Sequence, residues 1–206
     1  MKEPDVTITD FILALEALLF AVLIARSSTS NALQRWFIVF FAATAVASLA
    51  GGAVHGFLAD SKLLWRLVLI SLGVVSTAAW AIGARLLFAE SVSRLITAAA
   101  AVEFVLYALV VVFVIDSFSV AIANYLPSTL FLIVAFFAMY GKSGAAPVAV
   151  GLAGLLLTLV AAGVQQARLA LHPTYFNHNA LYHLLQAIAL FCIFRGALFM
   201  TSQAAR

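Results

Sequence analysis

Polar and charged residues in this chain come in short clusters separated by long, almost purely apolar stretches. FILALEALLFAVLIA near the start, FIVFFAATAVASLAGGAV after it and LLLTLVAAGV further on are typical. A helix needs about 20 such residues to cross the hydrocarbon of a bilayer. The pattern predicts seven helices, at 8–25, 35–58, 63–86, 95–115, 118–140, 146–168 and 177–200. The intervening clusters carry turn-forming residues: SSTSN at 27–31, GKSG at 141–144 and HPTYFN at 172–177. Pro147 falls in the first turn of the sixth helix, where its missing N–H costs little. Pro127 lies inside the fifth and is expected to kink it. With no internal repeat and no linker, the expected fold is all-α: a polytopic membrane protein, one seven-transmembrane-helix domain over residues 1–206.

Composition strengthens this reading. Of 206 residues, 66% are hydrophobic and 9% charged, and the mean hydropathy is +1.15. A soluble domain carries about a quarter charged residues. The deficit extends along the whole chain, leaving no room for a sizeable soluble domain. The formal net charge of +3 comes without any basic run, so nucleic acid is not an expected partner. Cys192 is the single cysteine, which rules out an intrachain disulfide. The start, MKEPDVTITD, lacks the basic region and cleavage site of a signal peptide, so the first helix is expected to persist in the mature protein.

The charges also orient the helices. Let side A be the side bearing the N-terminus and side B the other. Arg26, Arg35, Arg85, Arg94, Lys142, Arg195 and Arg206 fall on side B, and Lys2, Lys62, Arg66 and Arg168 on side A. Glu3, Asp5, Asp10, Asp60 and Asp116 are read as side-A acids, with Glu90 on side B. Lysine and arginine concentrate on the cytoplasmic side. The N-terminus is therefore expected outside the cytoplasm and the C-terminus inside.

Candidate chemistry gathers toward side A. His55 ends the second helix, His172 precedes the seventh, and His178 and His183 open it. At 1.5 Å per residue, His55 and His183 lie about 5 and 9 Å inside their helix ends. Ser48, Gly51 or Gly52, and His55 share one helix face, and the small residues allow another helix to approach closely. On the seventh helix, Asn179, His183 and Gln186 share a face, with Asn177 placed to cap the first turn. His178 and His183 are i, i+5, about 140° apart, a poor spacing for one metal unless the first turn is unwound. His172, beside Pro173, reads as a solvated loop residue. Glu16 and Glu103 are carboxyls within apolar helices, which mark function by default. Glu103 has no cationic partner at its depth and reads as a hydrogen-bonded structural group, whereas Glu16 is left open. The seventh helix has no lysine for a retinal Schiff base, and neither GxSxG nor HExxH occurs.

A histidine closing helix two and histidines opening helix seven, in GGAVHG and HNALYH, make the chain resemble the CREST superfamily. That group includes alkaline ceramidases and progestin and adiponectin receptors. Glu16, in ALEALL, resembles an acidic residue many members carry in helix one. His55 and His183 take the places of two family histidines. Asn179 stands where the first histidine of the helix-seven pair would be, and Gly51 where the motif serine would be; helix three has no aspartate. The resemblance implies a zinc-dependent hydrolase acting on a lipid amide or ester, ceramidase-like, with a lipid substrate entering from the membrane. The implied zinc ligands are His55, His183 and His178, with Asp60 or Asn179 as the third if His178 points away. The zinc would activate a water, and Ser48 would bond that water or the oxyanion. Ser48 and Asp60 are thus the implied catalytic residues. The alternative is a non-catalytic membrane protein, a lipid-binding receptor, transporter subunit or assembly partner, that has lost the metal site.

The charge bias carries the first testable expectation. Reporter fusions should place the N-terminus outside the cytoplasm and the C-terminus within it. A cytoplasmic N-terminus, or both ends on one side, would overturn the orientation.

Overall fold

A computed structural model describes residues 2–27, 31–172 and 174–203. Arg206, counted in the charge bias, Pro173 and residues 28–30 of the first loop lie outside the described residues. The described chain forms seven helices: α1 (Pro4–Ala25), α2 (Ala32–Gly56), α3 (Lys62–Leu87), α4 (Glu90–Phe113), α5 (Phe118–Ser143), α6 (Ala146–Gln166) and α7 (His178–Gln203). Each is long and apolar enough to cross a membrane.

Local chemistry fixes the helix ends. Asn31 Oδ1 accepts the N–H of Gln34 at the start of α2, and Ser61 Oγ that of Leu64 at the start of α3. Asn177 Oδ1 accepts the N–H groups of Asn179 and Ala180 and caps α7. Gly144 ends α5 in the left-handed conformation, φ 59°, which costs glycine nothing. Pro147 occupies the first turn of α6, and α5 runs on through Pro127. Two helices start well before the sequence reading puts them: α4 at Glu90 rather than residue 95, and α1, which bears on the site. α1 begins at Pro4 rather than at residue 8, because proline suits the first helical turn and Asp5 complements the helix dipole there.

Six helices form a closed ring of contacts in the order α1, α2, α3, α5, α6, α7, back to α1. α4 stands outside the ring against α3. Glycines mark several close seams, two of them beside the α1 and α7 helices. A Cβ on Gly52 would come 2.7 Å from the Phe11 ring, so α1 lies against the α2 backbone there. A Cβ on Gly154 would come 2.6 Å from the carbonyl oxygen of Ala189, so α6 lies directly against α7. The main core, including Phe37, Phe41, Ile82, Leu132, Phe136, Leu190 and Ile193, fills the side-B half of the ring. The outer faces are apolar as well: Leu15 is 69% exposed, Leu106 60% and Phe137 66%.

The α6–α7 seam is testable. Gly154→Ala should destabilise the fold by about 1–3 kcal/mol in detergent, as overpacking does. Gly163→Ala, on the same helix with nothing within 4 Å, should cause no loss. Equal behaviour of the two variants in denaturation would contradict the close approach.

Candidate functional site

The first residues of the chain stitch three helices together at the side-A end. The N–H groups of Lys2 and Glu3 donate to the carbonyls of Gly56 and His55, 3.1 and 3.2 Å. They thereby satisfy carbonyls that the end of α2 would leave open. The side chain of Glu3 turns away from its own helix. Its Oε2 lies 2.6 Å from His55 Nδ1, and its Oε1 3.5 Å from Asn177 Nδ2. Asp5 Oδ2 accepts the backbone N–H of Asn177 at 2.9 Å, tying α1 to the start of α7.

One turn further in, α1 meets His183 of α7 with two consecutive residues. Thr9 Oγ1 is 3.1 Å from His183 Nδ1, and Asp10 Oδ1 is 3.3 Å from His183 Nε2. Both His183 (9% exposed) and Asp10 (4%) are buried. Thr9 Oγ1 is also 2.9 Å from the Asp5 carbonyl and 3.0 Å from that of Val6. When its proton goes to either carbonyl, Nδ1 of His183 must donate to it. The proton facing Asp10 is then set by the charge of the ring. The 3.3 Å contact is longer than a charge-assisted hydrogen bond, and Asp10 Oδ2 has no hydrogen-bond partner among the described residues.

Asp10, His183 and His55 all line a cavity of about 200 Å³ at the centre of the ring. Six helices contribute to its wall, and α4 does not. Along α7 its lining runs from Asn179 through Tyr182, His183, Gln186 and Leu190 to Ile193, and along α2 from His55 through Gly51, Ser48 and Thr44 to Phe40. Fourteen residues of helix make the cavity about 21 Å long. Its side-A end is polar, and its deep end is walled by Phe40, Ala79, Leu132, Leu155 and Ile193. Gln186 reaches Thr158 at 3.5 Å through Nε2, but its Oε1 is unmet. Between α3 and α5, Ser76 Oγ is 3.0 Å from Ser128 Oγ and 3.2 Å from the Asn124 carbonyl.

Among the candidate site residues read from sequence, Ser48, Gly51, His55, Asn179, His183 and Gln186 line this one cavity. The remaining candidates do not. His178 begins α7 outside the cavity lining. Asp60 sits in the α2–α3 turn, its side chain fully exposed and 3.9 Å from Lys2 Nζ. Glu16 is half-buried, is not part of the cavity lining, and has an unpartnered Oε2. Glu103 Oε1 accepts from Asn124 Nδ2 of α5, the structural role its sequence context indicates. His172 is exposed in its loop, where Nδ1 accepts the N–H groups of Thr174 and Tyr175.

The implied zinc does not fit this arrangement. A catalytic zinc needs three protein donors converging on one point. Among the described residues no three His, Cys, Asp or Glu side chains do so. Both ring nitrogens of His183 face α1, and Nδ1 of His55 faces Glu3. His178 and Asp60 are elsewhere. Ser48 makes no hydrogen bond to an imidazole among the described residues, so it is not arranged as an activated nucleophile either.

The residues missed in sequence are Glu3, Thr9, Asp10 and Tyr182. A helix start at residue 8 leaves Asp10 in the first turn, at the helix end; Pro4 as a first-turn residue, followed by Asp5, is the signal that moves it deeper into the helix.

Six helices around an elongated cavity, with a buried carboxyl and two imidazoles at its polar end, define a seven-helix protein with an internal amphipathic chamber. The chain belongs to a family of unknown function, DUF6962, whose model matches residues 6–202. No curated protein and no solved structure matches it.

The Asp10–His183 contact has a measurable signature. His183→Ala removes the only polar side chain among the described residues that meets the buried Asp10 carboxyl, and should cost about 1–3 kcal/mol. The double variant Asp10→Leu/His183→Leu, which leaves no orphaned polar group, should recover most of that loss. Denaturation in detergent checks this; a double variant no more stable than His183→Ala would show that the pair is not coupled.

Proposed function

We propose that the chain is an integral, multi-pass membrane protein that binds a small amphiphilic molecule in its central chamber. The tail would lie among Phe40, Ala79, Leu132 and Ile193, and the head at the Asp10–His183 end. The observation that carries this reading is the chamber's gradient. Its polar residues lie toward side A and its deep end is apolar, and two of the residues that line it carry a buried acceptor, Asp10 Oδ2 and Gln186 Oε1, that no donor among the described residues meets. Buried polar atoms are ordinarily paired, so unmet ones on residues that line a cavity point to a place for another molecule's donors.

Membrane insertion is supported by the apolar exterior, which would be a severe liability in water. With lysine and arginine favouring side B, the chamber's polar end faces away from the cytoplasm. A membrane lipid or a related single-chain amphiphile is the class of ligand, since a chamber about 21 Å long with a volume near 200 Å³ is narrow. Zinc-dependent hydrolysis of a lipid amide or ester, which the sequence resemblance implies, has no support from the donor arrangement. Binding is the reading retained.

The test uses the full chain in lipid nanodiscs and tritiated decan-1-ol, with uptake by empty nanodiscs subtracted. A saturable, roughly one-to-one component is expected. Ala79→Phe, which places a ring in the chamber, should abolish it while the protein still unfolds cooperatively. Uptake no greater than that of empty nanodiscs would overturn the reading.

A further inference from the structure

The chamber's charge goes further than its shape. Among the described residues its lining includes no lysine or arginine, and Asp10 is its one carboxyl. The two imidazoles are already engaged, His55 by Glu3 at 2.6 Å and His183 by Thr9 at 3.1 Å and Asp10 at 3.3 Å. Asp10 is 4% exposed, and its Oδ2 is unpartnered beside the backbone of Gly51. A Cβ at position 51 would lie 3.0 Å from that oxygen, so glycine leaves the carboxyl its space. Deeper along the same wall, Gln186 offers a second unmet acceptor.

An anionic head would meet a carboxyl and no cation here. A hydroxyl brings a single donor and no charge. An ammonium group brings three donors and the positive charge that a buried carboxylate lacks. We infer that the chamber selects an amphiphile with a protonated amine head, held by the Asp10 carboxylate and reaching toward the Gln186 side chain. This rests on the reading of the chamber as an amphiphile site.

The experiment compares three ten-carbon probes of matched tail: decylamine, decan-1-ol and decanoate. Binding to the full chain in nanodiscs is measured at pH 7, where an alkylamine is protonated much as lysine is. Decylamine should bind at least tenfold more tightly than decanol, and decanoate should show no saturable binding. Asp10→Asn, nearly isosteric, should bring the amine down to the level of the alcohol. Gln186→Leu, away from the α1–α7 contact, should weaken the amine several-fold. If Asp10→Asn fails to give a monodisperse, cooperatively unfolding protein, the wild-type probe series and Gln186→Leu decide. Decanol binding as tightly as decylamine would overturn the inference and leave the amphiphile site standing; it would mean that His183 already neutralises Asp10. Unchanged amine affinity in folded Asp10→Asn would overturn it too. Absence of saturable binding by any probe would overturn the site itself.

Discussion

A carboxyl group enclosed by apolar helices has to be met by something, and much of the side-A half of this protein is arranged around meeting one. Asp10 is brought inside because α1 begins at Pro4. It can stay there because Gly51 gives it room against α2 and His183 approaches it from α7. The same helix turn supplies Thr9 to the other nitrogen of His183. Three helices are thereby held in register by a single imidazole and two neighbouring side chains. The outer layer of contacts, Glu3 to His55 and Asp5 to Asn177, repeats the same three-way tie nearer the helix ends.

Close packing makes this arrangement possible. Between apolar helices in an apolar solvent, burial supplies little drive, and contact depends on how nearly two backbones can approach. Gly52 and Gly56 let Phe11 and Thr7 of α1 lie against α2, and Gly151, Gly154 and Gly196 do the same for α6 and α7. The tight seams leave the slack of the ring at its centre, and the chamber is that slack.

The helices were readable because long apolar runs broken by turn residues admit few alternatives, and α2 through α7 lie where the pattern puts them, to within a few residues at their ends. Ser48, Gly51 and His55 were readable as one face because spacing along a single helix is local information. What joins them to α1 and α7 was not. Glu3 and His55 are 52 residues apart, and Thr9 and His183 174. No periodicity reports a pairing across such separations. Asp10 was hidden by a boundary: a helix start four residues late places a carboxyl that lies nearly two turns in at the very end of its helix. His178 and Asp60 were drawn in by likeness to a motif. The first begins α7 at a phase about 140° from His183, and the second lies in a solvated turn.

The position of α4 outside the ring has a consequence for the whole topology. With short loops reversing direction at each step, α1, α2 and α3 run in the same sequence of directions as α5, α6 and α7, and α4 is the pass that restores the direction between them. The ring is thus two triplets of like orientation, each internally joined by its own loops. Only two of its seams, α3 with α5 and α7 with α1, join one triplet to the other with no loop of their own. Each of these is pinned by hydroxyl and imidazole or hydroxyl pairs instead: Ser76 with Ser128 at one, and Thr9 with His183 at the other. The halves therefore meet around the chamber as two triplets of like orientation, and polar side chains rather than chain connectivity bridge the seams between them.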